Sequence, residues 1–89
     1  MPSVDITVTN KLGLHARASA KLTQLASKFR SDIHIARGTR RVNAKSIMGV
    51  MMLAAGLGTV VKVDAEGDDA EQALQRITEL FEQKFDEGE

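Results

Sequence analysis

The chain has 89 residues, twelve basic and twelve acidic side chains, no cysteine, and a hydrophobic share of 43% that includes only three aromatics, Phe29, Phe81 and Phe85. A chain of this length holds one compact domain, here 1–89, and its apolar content is well above that of a disordered segment. Without cysteine, disulfides, thiolate catalysis and cysteine-ligated metals are excluded.

Residues 1–10 lack the basic start and apolar run of a signal peptide. The longest apolar stretch, 47–58, is short of the about 20 residues a bilayer requires. A cytoplasmic location without membrane insertion is expected. The charges are segregated along the chain. Nine of the twelve basic residues lie between Lys11 and Lys45, opposed only by Asp32, whereas ten acidic residues from Asp64 onward meet only Arg76 and Lys84. Either the basic half forms one face for an anionic ligand or acidic partner, or the fold mixes the charges.

Residues 3–9 alternate, with Val4, Ile6 and Val8 on one side and Asp5, Thr7 and Thr9 on the other, the period of a strand with one wet face. Residues 10–13 read as a turn. Over 16–29 the apolar positions Ala18, Leu22, Leu25, Ala26 and Phe29 trace one helical stripe. Ile33 and Ile35 alternate, Gly38 marks a turn, and Val42 continues the pattern, predicting a hairpin with Arg37, Arg40 and Arg41 at its tip.

Ser46 is the natural N-cap of a short helix over 47–54, stopped by Gly56 and Gly58. Within it Ile47, Val50, Met51 and Ala54 form the predicted buried stripe, leaving Met48 and Met52 nearer the surface. Residues 59–65 are β-branched and read as a strand. Asp68 with Glu71 resembles a capping box opening a last amphipathic helix that runs to Lys84. The order is βαββαβα. Pattern alone suggests a ferredoxin-like sandwich, a common host of that order.

The segment Leu12-Gly13-Leu14-His15-Ala16-Arg17-Ala18 carries the chemistry. Gly13 permits a sharp turn, Leu14 anchors inward, and His15 falls at the cap of the first helix. There the backbone N–H groups of Ala16, Arg17 and Ala18 lack helical acceptors and the helix dipole favours an anion. An imidazole nitrogen placed there can act as a nucleophile. Arg17 can fork onto phosphate oxygens as a lysine cannot. Nucleophile, amide cradle and guanidinium are the parts that accept and hold a phosphoryl group. No acidic residue lies between Lys11 and Ser31, so no local carboxylate binds a metal or activates water against that group. His34, in a strand with no helix start beside it, reads as structural.

Gly-Leu-His-Ala-Arg at 13–17 resembles the phosphorylation-site motif of the HPr family, the phosphocarriers of the bacterial phosphoenolpyruvate-dependent phosphotransferase system. Asn-Ala-Lys-Ser-Ile-Met-Gly-Val at 43–50 resembles that family's second signature, around a regulatory serine. The likeness covers essentially the whole chain. It implies an α+β open-faced sandwich, with a four-stranded antiparallel sheet and three helices on one face. It implies that enzyme I phosphorylates His15 at Nδ1, that Arg17 stabilises the phosphate, and that His15 passes the group to IIA proteins of a sugar or nitrogen-related system. It further implies Ser46 as the position of a regulatory phosphate, added in many bacteria by HPr kinase/phosphorylase, and the helix carrying Met48 and Met52 as a partner contact. The chain departs from many members in having Ala18 where they have proline. On this reading the protein is a carrier and not an enzyme, is a monomer, and needs no cofactor and no metal. Two other readings stand beside it: a ferredoxin-like regulatory or ligand-binding module without phosphotransfer, and a nucleic-acid binder using the basic half. The latter lacks stacking aromatics and a GxxG loop, so no nucleic acid is expected as partner.

Overall fold

The computed structural model describes residues 1–86. In chain order these form β1 (Ser3–Thr7), α1 (Ala16–Ala26), β2 (Asp32–Arg37), β3 (Arg40–Asn43), α2 (Ile47–Met52), β4 (Val60–Glu66) and α3 (Ala70–Glu82), followed by a short turn at Lys84–Asp86. Among the described residues the four strands build one antiparallel sheet in the order β1-β4-β2-β3. The three helices pack on one face of it, giving the open-faced α+β sandwich.

Period-two alternation turns directly into layers. Val4, Val63, Ile35 and Val42 are cross-strand partners and form one row across all four strands toward the helices. The next row, Asp5, Lys62, Ala36 and Arg41, faces away from them. Against the apolar face α1 lays Ala18, Leu22 and Ala26, and α3 lays Ala73, Leu74, Ile77 and Phe81. Phe81 meets Phe85 edge to face, with centroids 4.8 Å apart, so two of the three aromatics close one end of the core. No helix among the described residues is long and apolar enough to cross a membrane.

Several sequence expectations need correction. β1 sits at an edge of the sheet, paired with β4 alone, whereas the first strand of a ferredoxin-like sandwich lies inside. β1 ends at Thr7, although Val8 still donates to the Thr59 carbonyl at 2.8 Å and receives Gly58 N–H at 2.8 Å. α1 stops at Ala26 instead of Phe29. Its last turn tightens through Lys28 N–H to Leu25 O and Phe29 N–H to Ala26 O, and Lys45 Nζ takes up the Phe29 carbonyl at 2.9 Å.

α2 stops at Met52, before either glycine, because Ala54 adopts a left-handed φ of 51°. Its buried side differs too: Val50 and Leu53 point into the core, while Ile47 (43%), Met51 (39%) and Ala54 are exposed. Six helical residues make under two turns, so the short helix covers the core with one flank only. At α3 the cap is Asp69, not Asp68, and its carboxylate does not bond to its own helix. It accepts instead from the backbone of Arg30 (2.9 Å) and Ser31 (3.0 Å) and from Ser31 Oγ, tying the α1–β2 connection to the start of α3. α3 ends at Glu82; Lys84, Phe85 and Asp86 have φ of 54°, 55° and 61° and turn the chain back so that Phe85 is buried.

The basic half does not form one face. Arg41 lies on the open side of the sheet against Asp64, whereas Arg37 and Arg40 reach the C-terminal end of α2 and Lys21 donates to the Phe85 carbonyl.

Candidate functional site

His15 is the N-cap residue of α1, in extended conformation (φ −74°, ψ −178°), and its carbonyl accepts the first helical bond from Ser19 N–H at 2.8 Å. The amides of Ala16, Arg17 and Ala18 precede that bond, so none has an acceptor four residues back within the helix. The dipole of an eleven-residue helix lies behind them, an environment that favours negative charge, and the residue just before them, His15, is partly buried. Arg17 is exposed in the first turn of the same helix.

The loop that delivers His15 is held at every step. Gly13 has φ +65°, and a Cβ there would lie 2.5 Å from the Ala55 carbonyl oxygen and 2.7 Å from Gly56 Cα. Both the backbone conformation and the space demand glycine. Its N–H donates to the Asn10 carbonyl at 3.1 Å, and buried Asn10 Nδ2 donates to the Gly13 carbonyl at 2.8 Å. Leu14 is buried, as expected, its N–H donating to Ala55 O at 2.9 Å and its carbonyl accepting from Ser19 Oγ at 3.0 Å.

Asn10, Ser19 and Ala55 are residues that sequence reasoning missed. Asn10 in a turn carries the familiar signal of a side chain bonding nearby backbone, and Ser19 is the one polar residue on the buried stripe of α1. Ala55 gives no such signal, because its role rests on a carbonyl brought from far along the chain.

Leu12, Leu14 and His15 line an open depression whose other wall is Ala54, Ala55 and Gly56. Ala54 also lines a second depression with Met52, Arg37 and Arg40, so the histidine site runs toward α2 across Ala54. On α2, Met48 (70%) and Met52 (58%) are exposed, as the sequence suggested, alongside the partly exposed Ile47 and Met51. Ser46 is the N-cap of α2: its Oγ accepts from Gly49 N–H at 3.1 Å, and the residue is exposed. His34 is partly buried in β2, cross-strand from Asn43 and Asp64, away from any helix start.

Residues 2–83 match the sequence model of the family described as PTS HPr component phosphorylation site. The chain is 58% identical over 83 residues to phosphocarrier protein HPr of Xylella fastidiosa, covering 93% of each chain. It is 45% identical to phosphocarrier protein NPr of Shewanella violacea, over 94% of this chain and 92% of that one. Among solved structures, HPr-C-His from Thermoanaerobacter tengcongensis superimposes with a TM-score of 0.94 at 50% identity, covering 98% of both chains. The chain belongs to the HPr family, the phosphocarrier proteins of the phosphotransferase system.

Proposed function

We propose that His15 is the phosphoryl acceptor, charged by phospho-enzyme I and discharged to IIA proteins of a sugar or nitrogen-related phosphotransferase system. The observation that carries this reading is the position of His15 at the N-cap of α1, directly before three amides without helical acceptors. In the forward step the lone pair of a ring nitrogen, Nδ1 by family resemblance, attacks phosphorus. The donor's bond to phosphorus breaks, and its electron pair leaves with the donor. The amides of Ala16, Arg17 and Ala18 receive the phosphoryl oxygens, and the Arg17 guanidinium closes over them. The reverse order of events passes the group on, so His15 is regenerated and the protein acts as a carrier rather than an enzyme.

Met48 and Met52 form the contact for enzyme I and the IIA acceptors, since an exposed, flexible, polarizable surface suits several partners in turn. Ser46 is the place for a regulatory phosphate where the host has HPr kinase/phosphorylase. The chain works as one monomeric domain in the cytoplasm. Incubation with phosphoenolpyruvate and enzyme I, followed by intact mass, tests the central claim. Wild-type protein gains one phosphate, acid-labile and alkali-stable as phosphoramidates are, and His15→Ala gains none. A phosphate found on His34, or retained in His15→Ala, overturns it.

A further inference from the structure

We infer that Arg37 is a positioning residue for phosphoryl transfer at His15, acting through the backbone of Leu53 and Ala54. The inference rests on the phosphocarrier reading of His15. Arg37 ends β2, and its Nη1 donates to the carbonyls of Leu53 (3.0 Å) and Ala54 (3.1 Å). Arg40, across the Gly38-Thr39 turn, adds a bond from Nη1 to the Met52 carbonyl at 2.8 Å. Three successive carbonyls at the end of α2 are thus held from the hairpin, where a six-residue helix has few bonds of its own to hold its end.

The residue under this clamp is strained. Ala54 has φ +51°, the left-handed region that alanine avoids because its Cβ crowds the following carbonyl. Such a conformation persists only where the surroundings impose it, and the Arg37 bonds flank it on both sides. Immediately after it, Ala55 O receives Leu14 N–H at 2.9 Å, and Ala54, Ala55 and Gly56 form the wall that faces His15. Release of Arg37 lets Ala54 relax toward an ordinary φ. That moves the Ala55 carbonyl, and with it Leu14 and the neighbouring His15. Arg37 itself lines the second depression, not the one that holds His15, so its effect travels through this backbone.

The test separates a positioning role from a direct one by removing the strain independently. Glycine takes a positive φ without steric penalty, so Ala54→Gly makes the clamp dispensable. In steady-state assays with phospho-enzyme I, Arg37→Gln is expected to lower kcat about tenfold with KM little changed, the size of loss a small misplacement produces. Arg37→Gln combined with Ala54→Gly is expected to recover kcat to within about threefold of wild type, because without a Cβ at position 54 no steric strain drives the turn out of its positive φ. Wild-type kcat in Arg37→Gln, or a loss that Ala54→Gly does not repair, would overturn the inference. If Arg37→Gln no longer melts cooperatively, Arg37→Lys, which keeps one donor, carries the same comparison with the same two outcomes. Wild-type protein that takes no phosphate on His15 would defeat the phosphocarrier reading and this inference together; the variant results alone defeat only the latter.

Discussion

Arg41 and Asp64 grip each other across an intervening strand. The guanidinium on β3 reaches over β2 to the carboxylate on β4, with Nη2 2.8 Å from Oδ1 and Nε 3.2 Å from Oδ2. Arg41 lies opposite the small Ala36 on β2 and Asp64 opposite His34, so the contact crosses β2 on a diagonal. Asp64 is almost fully buried on a sheet face that carries no helix, while about half of the Arg41 side chain remains in solvent. Removing the arginine therefore leaves a buried carboxylate without its counter-charge, whereas removing the carboxylate leaves a cation that water can reach. Arg41→Ala is expected to lower Tm further than Asp64→Asn does. The opposite ranking in thermal melts would show that Asp64 is satisfied without Arg41.

Arg17→Lys keeps the charge at the first turn of α1 but replaces a planar fork by a single point. Phosphotransfer to and from His15 is expected to slow on the order of tenfold, less than the loss on deleting an oxyanion donor outright, with Tm unchanged. Rates equal to wild type in both directions would make Arg17 a bystander.

Ser46 has two separable roles. As N-cap its Oγ serves Gly49 N–H, and Ser46→Ala is expected to lose about 1 kcal/mol in urea unfolding. A phosphate there adds close to two negative charges at the start of a helix whose exposed methionines are the proposed docking surface. Lys45, next in sequence, is already bonded through Nζ to the Phe29 carbonyl, so compensation falls mainly to the helix dipole and backbone. The phosphorylated form is expected to show a raised KM with enzyme I and a smaller change in kcat, and Ser46→Asp a weaker shift in the same direction. An unchanged KM would reduce Ser46 to a cap in this reaction.

Asp69 provides the pH dependence. The Ser31 hydroxyl, then the Arg30 amide, hold its carboxyl below the usual carboxylate range. A carboxyl depressed on folding stabilises the native state at every pH above its unfolded value of about 4. That contribution is lost as pH falls through the lower folded value. Asp69→Asn is expected to flatten the acid limb of stability below about pH 4 while leaving His15 phosphorylation at neutral pH intact. An acid limb identical to wild type would place the titrating group elsewhere.

The element order was legible because each element carries its own period: Val4, Ile6 and Val8 for a strand, Ala18, Leu22 and Ala26 for a helix. Strand order was not, since the pairing of β1 with β4 joins segments more than fifty residues apart and no local pattern encodes it. The resemblance supplied the four-stranded antiparallel sheet with three helices on one face, but not which strands pair. The orientation of α2 was misread for a related reason. With so few residues, which flank turns inward depends on how Leu53, Ala54 and Ala55 are held from outside, not on the spacing of its apolar side chains. At the site, Gly13, Leu14 and His15 were legible from residue type and order. Of that loop's supports, Asn10 and Ser19 act through side chains whose polar type in a turn and on a buried stripe was a usable signal, whereas Ala55 acts through its backbone carbonyl, which carries no residue signature.

The position of β1 and β3 at the two edges of the sheet has a consequence for self-association. An edge strand offers unpaired N–H and C=O groups to any passing chain and is a natural seed for aggregation. β3 is only four residues long and opens with Arg40 and Arg41, so two copies meeting there would bring four guanidinium groups together. β1 is preceded by Pro2, which has no N–H to offer, and turns Asp5 outward. Arg40 and Arg41 therefore guard one border of the sheet with the same side chains that fasten α2 and bury Asp64.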